Sequence, residues 1–124
     1  MSIVVGIDIG GSTTKIAGFR EDRMLIPVQI SADSAVASLF GAFGKFLYDN
    51  DLQLTDIGQV NLTGVGSSEI RQDIYGVPTF RVDEFSANGV GGGYFAGNKT
   101  EFMVVSMGKG TSFVEVRTNV PRHL

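Results

Sequence analysis

The run Val4-Val5-Gly6-Ile7-Asp8-Ile9-Gly10-Gly11-Ser12-Thr13-Thr14-Lys15 delivers one acid, two glycines, three hydroxyls and a lysine from the end of an apolar stretch. A carboxylate at that place suits a hard cation such as Mg2+, which takes few protein oxygens and keeps several waters. Gly10 and Gly11 permit a tight turn, by positive φ or by close approach, whose N–H groups face anionic oxygens. Ser12 and Thr13 add neutral donors, and Lys15 has the reach to meet a phosphate. These residue types together describe a site for metal-bound phosphate. Asp8 lies between Ile7 and Ile9, and a carboxylate on a buried strand is costly unless partnered, which favours a working role over that of a turn acid.

A second run, Ser106-Met107-Gly108-Lys109-Gly110-Thr111-Ser112, joins two β-rich stretches. Alone it is an ordinary hairpin signal. Beside the first run it reads as a second phosphate contact, with Ser106, Thr111 and Ser112 as hydroxyl donors and Gly108 and Gly110 opening the backbone N–H groups. Glu84 follows a strand-like segment; by itself it is an acid in the first turn of a helix, where the dipole favours it. His123 is the single histidine and stands beside Arg122.

The elements that must position these residues follow from periodicity. Ile3 to Ile9 is a near-continuous apolar run, the pattern of a strand covered on both faces. Residues 14–19 and 24–30 around the polar turn 20–23 predict two more strands, antiparallel in succession. Val36, Leu39, Phe40, Phe43, Phe46 and Leu47 recur at helical spacing, with Asp33 or Ser34 as cap and Asn50-Asp51 at the stop. Residues 59–63 predict a strand that ends at Gly64-Val65-Gly66, and Ser67 or Ser68 then caps a predicted helix through Glu69, Ile70, Asp73 and Ile74. Residues 77–82 predict a strand, 83–88 open a glycine-rich helix, and 102–106 with 111–117 form a hairpin.

Composition narrows the class. The 124 residues, 43% apolar and 19% charged, suffice for one globular core. The net charge is −3 and the ten basic residues are scattered, so no face for nucleic acid or anionic lipid emerges. The absence of cysteine excludes disulfides, thiolate catalysis and Cys-ligated zinc. The start lacks the build of a signal peptide, and no apolar run approaches the roughly 20 residues of a membrane span, so a soluble, cytoplasmic protein is expected. Seventeen glycines are about twice the usual share of ~7%. Their clustering in loops suggests several backbone segments close to one ligand.

The order β-β-β-α-β-α-β-α plus a hairpin, with both glycine runs in place, resembles the acetate kinase, sugar kinase, Hsp70 and actin superfamily, in which two ribonuclease-H-like lobes clasp ATP and magnesium. The particular resemblance is to type II pantothenate kinases. It rests on Asp8-Ile9-Gly10-Gly11-Ser12 with Lys15, Leu62-Thr63-Gly64, Val82-Asp83-Glu84-Phe85-Ser86-Ala87, and Gly108-Lys109-Gly110-Thr111-Ser112 followed by Arg122-His123-Leu124. The resemblance implies an α/β lobe with a mixed sheet flanked by helices over 1–98 and the first hairpin of a truncated second lobe over 99–124. It implies ATP and Mg2+ as cofactors, Asp8 as metal ligand and Glu84 as general base toward the hydroxyl of pantothenate, in the first step towards coenzyme A. Arg122 and His123 fall where the family places a substrate-holding arginine, with His123 in the arginine's register and Arg122 one residue early. A homodimer is implied for the full-length form. The chain reads as a fragment, inactive as a kinase alone, with an exposed apolar hairpin prone to self-association. Two alternatives stay open. The ATPase activators of 2-hydroxyacyl-CoA dehydratases share the fold but resemble cysteine-ligated iron-sulfur proteins. Sugar kinases usually carry an Asn-Asp pair at the cleft, whereas Asn50-Asp51 sits at a helix end.

Overall fold

The computed structural model describes residues 2–97, 99, 101–107, 111–117 and 120–124, with only the backbone of Ser106 and Thr111. The chain divides into two compact units, Met1–Arg81 and Val82–Leu124. The expected first lobe ran to residue 98. By its packing the helix at 84–96 belongs with the strands that follow it, in the unit that begins at residue 82.

The first unit is a mixed sheet with one helix. Strands β1 (Ile3–Ile9), β2 (Thr13–Arg20), β3 (Arg23–Met24) and β4 (Val28–Ser31) precede helix α1 (Ala35–Asp49). Strands β5 (Ile57–Thr63) and β6 (Thr79–Arg81) complete the sheet. Its order is β3-β2-β1-β5-β6, with β4 also on β2. β1 pairs antiparallel with β2 and parallel with β5, so it is the central strand. The core is the α1 side of the sheet, where Ile3, Val5, Ile7 and Ile9 meet Leu39, Ala42, Phe43 and Phe46. β1 was expected to be covered on both faces. It alternates instead, buried at odd positions while Val4 is 44% exposed, because the apolar run hides a period of two in which only one face meets α1.

Local chemistry explains the ends of α1. Ser34 caps it by accepting from the Ala37 N–H. Asn50 closes it as the sequence predicts, and its side chain donates to the Phe46 and Ile26 carbonyls and accepts from the Ile26 N–H, tying helix to sheet. A helix through residues 67–74 does not form. Val65–Glu69 is a 3₁₀ turn, and Ile74 and Val77 then bridge across Tyr75 and Gly76, both at positive φ. Positive φ at both central residues is the geometry of a type I′ turn. The Ile70/Ile74 spacing that imitated a helix serves a hairpin loop, both side chains plugging the core.

The second unit is helix α2 (Glu84–Ala96) on a three-stranded antiparallel sheet of β7 (Glu101–Met107), β8 (Thr111–Arg117) and β9 (Val120–His123). β9 was not anticipated. Asp83 caps α2 by accepting from the Ser86 N–H. The glycines of α2 serve close packing: a Cβ on Gly89 would lie 2.6 Å from Pro121 Cβ, and one on Gly92 would strike Val104. Of the apolar hairpin residues 102, 104, 105, 113, 114 and 116, expected to be exposed in some combination, Val105 and Phe113 are exposed while Val114 and Val116 are buried.

One buried polar pair joins sheet to helix in the first unit: Thr14 Oγ1 and Ser38 Oγ, 2.6 Å apart, both residues almost wholly buried. Ser38→Ala leaves the Thr14 hydroxyl without that partner and is expected to cost about 1–3 kcal/mol by chemical denaturation. Adding Thr14→Val removes both polar groups and recovers most of the loss. Wild-type stability in Ser38→Ala would show that the pair contributes nothing, and a double variant no more stable than the single one would contradict an unpaired Thr14 hydroxyl as the source of the loss.

Candidate phosphate site

The first unit holds the acid and the glycine turn. Asp8 is the last-but-one residue of β1, on the face opposite Ile7 and Ile9, half-buried. Its register partners are Lys15 on β2 and Thr63 on β5, which puts all three on one face at one end of the sheet. Among the described residues no hydrogen bond or ion pair engages the Asp8 carboxylate, nor the Lys15 ammonium. Thr63 Oγ1 is buried without a partner, a costly state that a ligand or ordered water would relieve.

The β1–β2 turn is closed by the Gly10 N–H donating to the Thr13 carbonyl at 2.8 Å. Neither Gly10 nor Gly11 takes positive φ. Glycine at position 10 answers close approach, since an added Cβ would lie 2.9 Å from the Thr13 oxygen. Gly11 and Ser12 are exposed at the tip, and Thr13 Oγ1 meets Ser31 Oγ at 3.4 Å. The glycine that needs its conformation is Gly64, just after Thr63, at φ 95°. A Cβ there would strike the Ile9 carbonyl and lie 2.5 Å from Asp8 Oδ1. Thr63 and Gly64 therefore stand beside Asp8; the sequence marked them as a strand-to-glycine step and as part of the Leu62-Thr63-Gly64 motif, without a site role.

A polar cavity of about 460 Å³ opens beside this turn, lined by Gly10, Gly11, Ser34, Gly66 and the carboxylate-bearing Asp33 and Glu69. The donor set fits magnesium in one respect: a single carboxylate with a neighbouring hydroxyl suits an ion that retains several waters. Among the described residues no group of three or more His, Asp or Glu side chains converges as a full metal cage.

The second unit carries the remaining candidates. Glu84 is the first residue of α2, exposed, next to the capping Asp83. Gly108, Lys109 and Gly110 lie outside the described residues; the strands flanking them pair through Met107 and Thr111, with Ser106 opposite Ser112. Arg122 donates to Glu115 at 2.6 Å, as does Arg117. His123 stacks on Phe85 with ring centroids 3.5 Å apart. Arg122 and His123 thus have structural partners within their own unit. The Arg117 hydrogen bond first, with Arg122 alongside, holds the Glu115 carboxyl below the usual carboxylate range.

The architecture is that of the ribonuclease-H-like, actin-like ATPase fold. No family model matches the chain, and no curated protein matches it in sequence. Solved structures do. Component A of the (R)-2-hydroxyglutaryl-CoA dehydratase of Acidaminococcus fermentans superposes with a TM-score of 0.83 at 15% identity, over 98% of this chain and 45% of that one. The activator of the 2-hydroxyisocaproyl-CoA dehydratase of Clostridium difficile, with bound ADPNP, gives 0.74 at 19% identity, over 94% and 42%. A ROK family glucokinase from Streptomyces griseus, in complex with glucose and AMPPNP, gives 0.61 at 14%, over 98% and 46%. The chain spans less than half the length of these structures. No helix among the described residues is long and apolar enough to cross a membrane.

Two outcomes test the geometry. Gly64→Ala forces positive φ on a residue with a Cβ and crowds Asp8, so it is expected to lower stability by about 1–3 kcal/mol in denaturant titration; unchanged stability would contradict the placement of Gly64. The Glu115 carboxyl is expected to titrate below a normal glutamate by carbon-detected NMR, and Arg117→Gln to raise it. Because the folded value lies below the unfolded one, any stability from this group is present above the unfolded pKa and lost as pH falls through the folded one. A normal titration in the wild type would remove the pairing.

Proposed function

We propose that this chain supplies one phosphate-binding half of an ATP-dependent phosphotransferase of the actin-like fold, with pantothenate as acceptor. The observation that supports it most is the Asp8 carboxylate, unpartnered among the described residues, at the end of β1 beside a glycine turn and an orphaned threonine hydroxyl. In this reading Asp8 holds Mg2+, alone or through its waters, and the ion neutralises charge on the triphosphate. Gly10, Gly11 and Ser12 offer donors at the turn tip, Thr13 braces the turn against Ser31, and Lys15 meets a β- or γ-oxygen. Ser106, Gly108, Gly110, Thr111 and Ser112 supply the second phosphate contact. Glu84 orients the acceptor hydroxyl and takes its proton, and its exposed place at the start of α2 leaves it open to an acceptor. Arg122 and His123 contact the acceptor only by giving up Glu115 and Phe85. Cytoplasmic location and a homodimeric full-length form belong to the same proposal.

A second reading is an ATP-hydrolysing activator without a small-molecule acceptor. It is favoured by the higher TM-scores to the two dehydratase components than to the glucokinase. The cysteine-free sequence gives this reading no thiolate ligand for a cluster.

The test is ATP turnover by the full-length form, not by this half alone, with pantothenate, with hexoses and with no acceptor. Acceptor-dependent ADP formation with pantothenate alone is the expected result; acceptor-independent hydrolysis supports the second reading and overturns the first. Asp8→Asn should weaken Mg2+-dependent ATP binding at least about tenfold, or 1.4 kcal/mol, by calorimetry. Glu84→Gln should lower turnover by about 10²–10⁴ with ATP affinity kept. Unchanged values in either variant would remove that residue from the mechanism.

A further inference from the structure

Thr63 carries a hydroxyl that the folding of its strand does not explain. The Oγ1 atom is buried and bonds to nothing among the described residues. Valine has the same branched shape and a similar preference for strands, and it would leave no polar atom buried at the end of β5. A buried hydroxyl without an acceptor is a cost, and such a group in a folded chain calls for a reason.

The charged acceptor in register with it is Asp8. The two residues are Cα partners on the parallel strands β1 and β5, on one face of the sheet. Such strands lie about 4.8 Å apart, so side-chain rotation alone brings a hydroxyl on one to a carboxylate on the other. The carboxylate already leans that way: Asp8 Oδ1 comes within 2.5 Å of the point where a Cβ on Gly64 would sit. On the other flank Lys15 is the register partner of Asp8, yet none of the ion pairs among the described residues joins the two. Opposite charges directly across an antiparallel pair attract each other. Here they stay apart, with the carboxylate turned toward β5, and both remain open to a ligand.

We infer that Thr63 is the positioning residue of the Asp8 carboxylate: with a divalent cation bound, its hydroxyl donates to one carboxylate oxygen, keeps the group on the β5 side away from Lys15, and leaves the other oxygen for the ion. Carboxylates that ligate metals are in turn hydrogen-bonded, and loss of such a partner typically costs about 10–100-fold in metal affinity. The inference rests on the proposed magnesium role of Asp8 and gives that role a second residue. The hydroxyl acts through Asp8, as suits an atom closed to solvent. Valine at position 63 would release the carboxylate to the Lys15 ammonium, a flexible point charge, and the internal pair would then occupy both groups.

The measurements use the full-length form. By calorimetry, magnesium should raise the ATP affinity of the wild type. Thr63→Val should lower the magnesium-dependent affinity at least about tenfold, with ATP affinity in EDTA unchanged, and Thr63→Ser, which keeps the hydroxyl, should recover it. In denaturant titration without metal or nucleotide, Thr63→Val should be at least as stable as the wild type, because it removes an unpaired hydroxyl and no bond. Thr63→Ala gives the same binding readout if valine perturbs the fold. Magnesium-dependent affinity kept in both variants, equal losses with and without magnesium, or no recovery with serine would overturn the role. A metal-free Thr63→Val less stable than the wild type would overturn it too, by giving the hydroxyl a structural partner. The acceptor assay is separate: turnover that ignores pantothenate removes that acceptor and leaves these affinities as they are. A wild type whose ATP affinity magnesium does not raise would overturn the metal role of Asp8 and this inference together.

Discussion

The strand register of β1 is the constraint on which the rest depends. Ile3, Val5, Ile7 and Ile9 are buried to within 1% and locked between antiparallel β2 and parallel β5. Each such side chain contributes about 1.5–3 kcal/mol by leaving water. A slip of one residue would turn all four outward and Val4, Gly6 and Asp8 inward. The core therefore fixes Asp8 on the opposite face at the carboxyl end of the strand. Open α/β sheets bind ligands beyond the carboxyl ends of their strands.

Once β1 is fixed, the neighbouring strand completes the site. β5 runs parallel, so Thr63 ends level with Asp8, and the chain must leave through Gly64 with no room for a side chain. That exit passes so close to the Asp8 carboxylate that only glycine fits, and it leaves the Thr63 hydroxyl buried and unpaired among the described residues. A small polar site is thus built from backbone geometry more than from long side chains. The second unit follows the same economy, since the glycines of α2 let the helix lie close on Pro121 and Val104.

Much of this was legible from residue types and spacing. Strong periodicity and explicit caps gave β1, β2 and α1, and Ser34 and Asn50 act as their types suggest. The glycines at 10–11 were legible as a turn, though not the reason for them, which is contact with Thr13 and not positive φ. The segment 67–77 misled because Ile70 and Ile74 have helical spacing while the Tyr75-Gly76 turn overrides it. β9 was hidden by Pro121, which is tolerated on an edge strand. The Arg122–Glu115 pair was invisible because it forms only across paired strands.

The central claim is that the turn after Asp8 and the Thr63–Gly64 exit receive the phosphates of ATP. Backbone amide chemical shifts of the protein, followed by NMR as ATP and magnesium are added, address it directly. The account predicts that Gly10, Gly11, Ser12, Thr63 and Gly64 shift together and only when both are present. Saturable binding that leaves these five amides unmoved would contradict it.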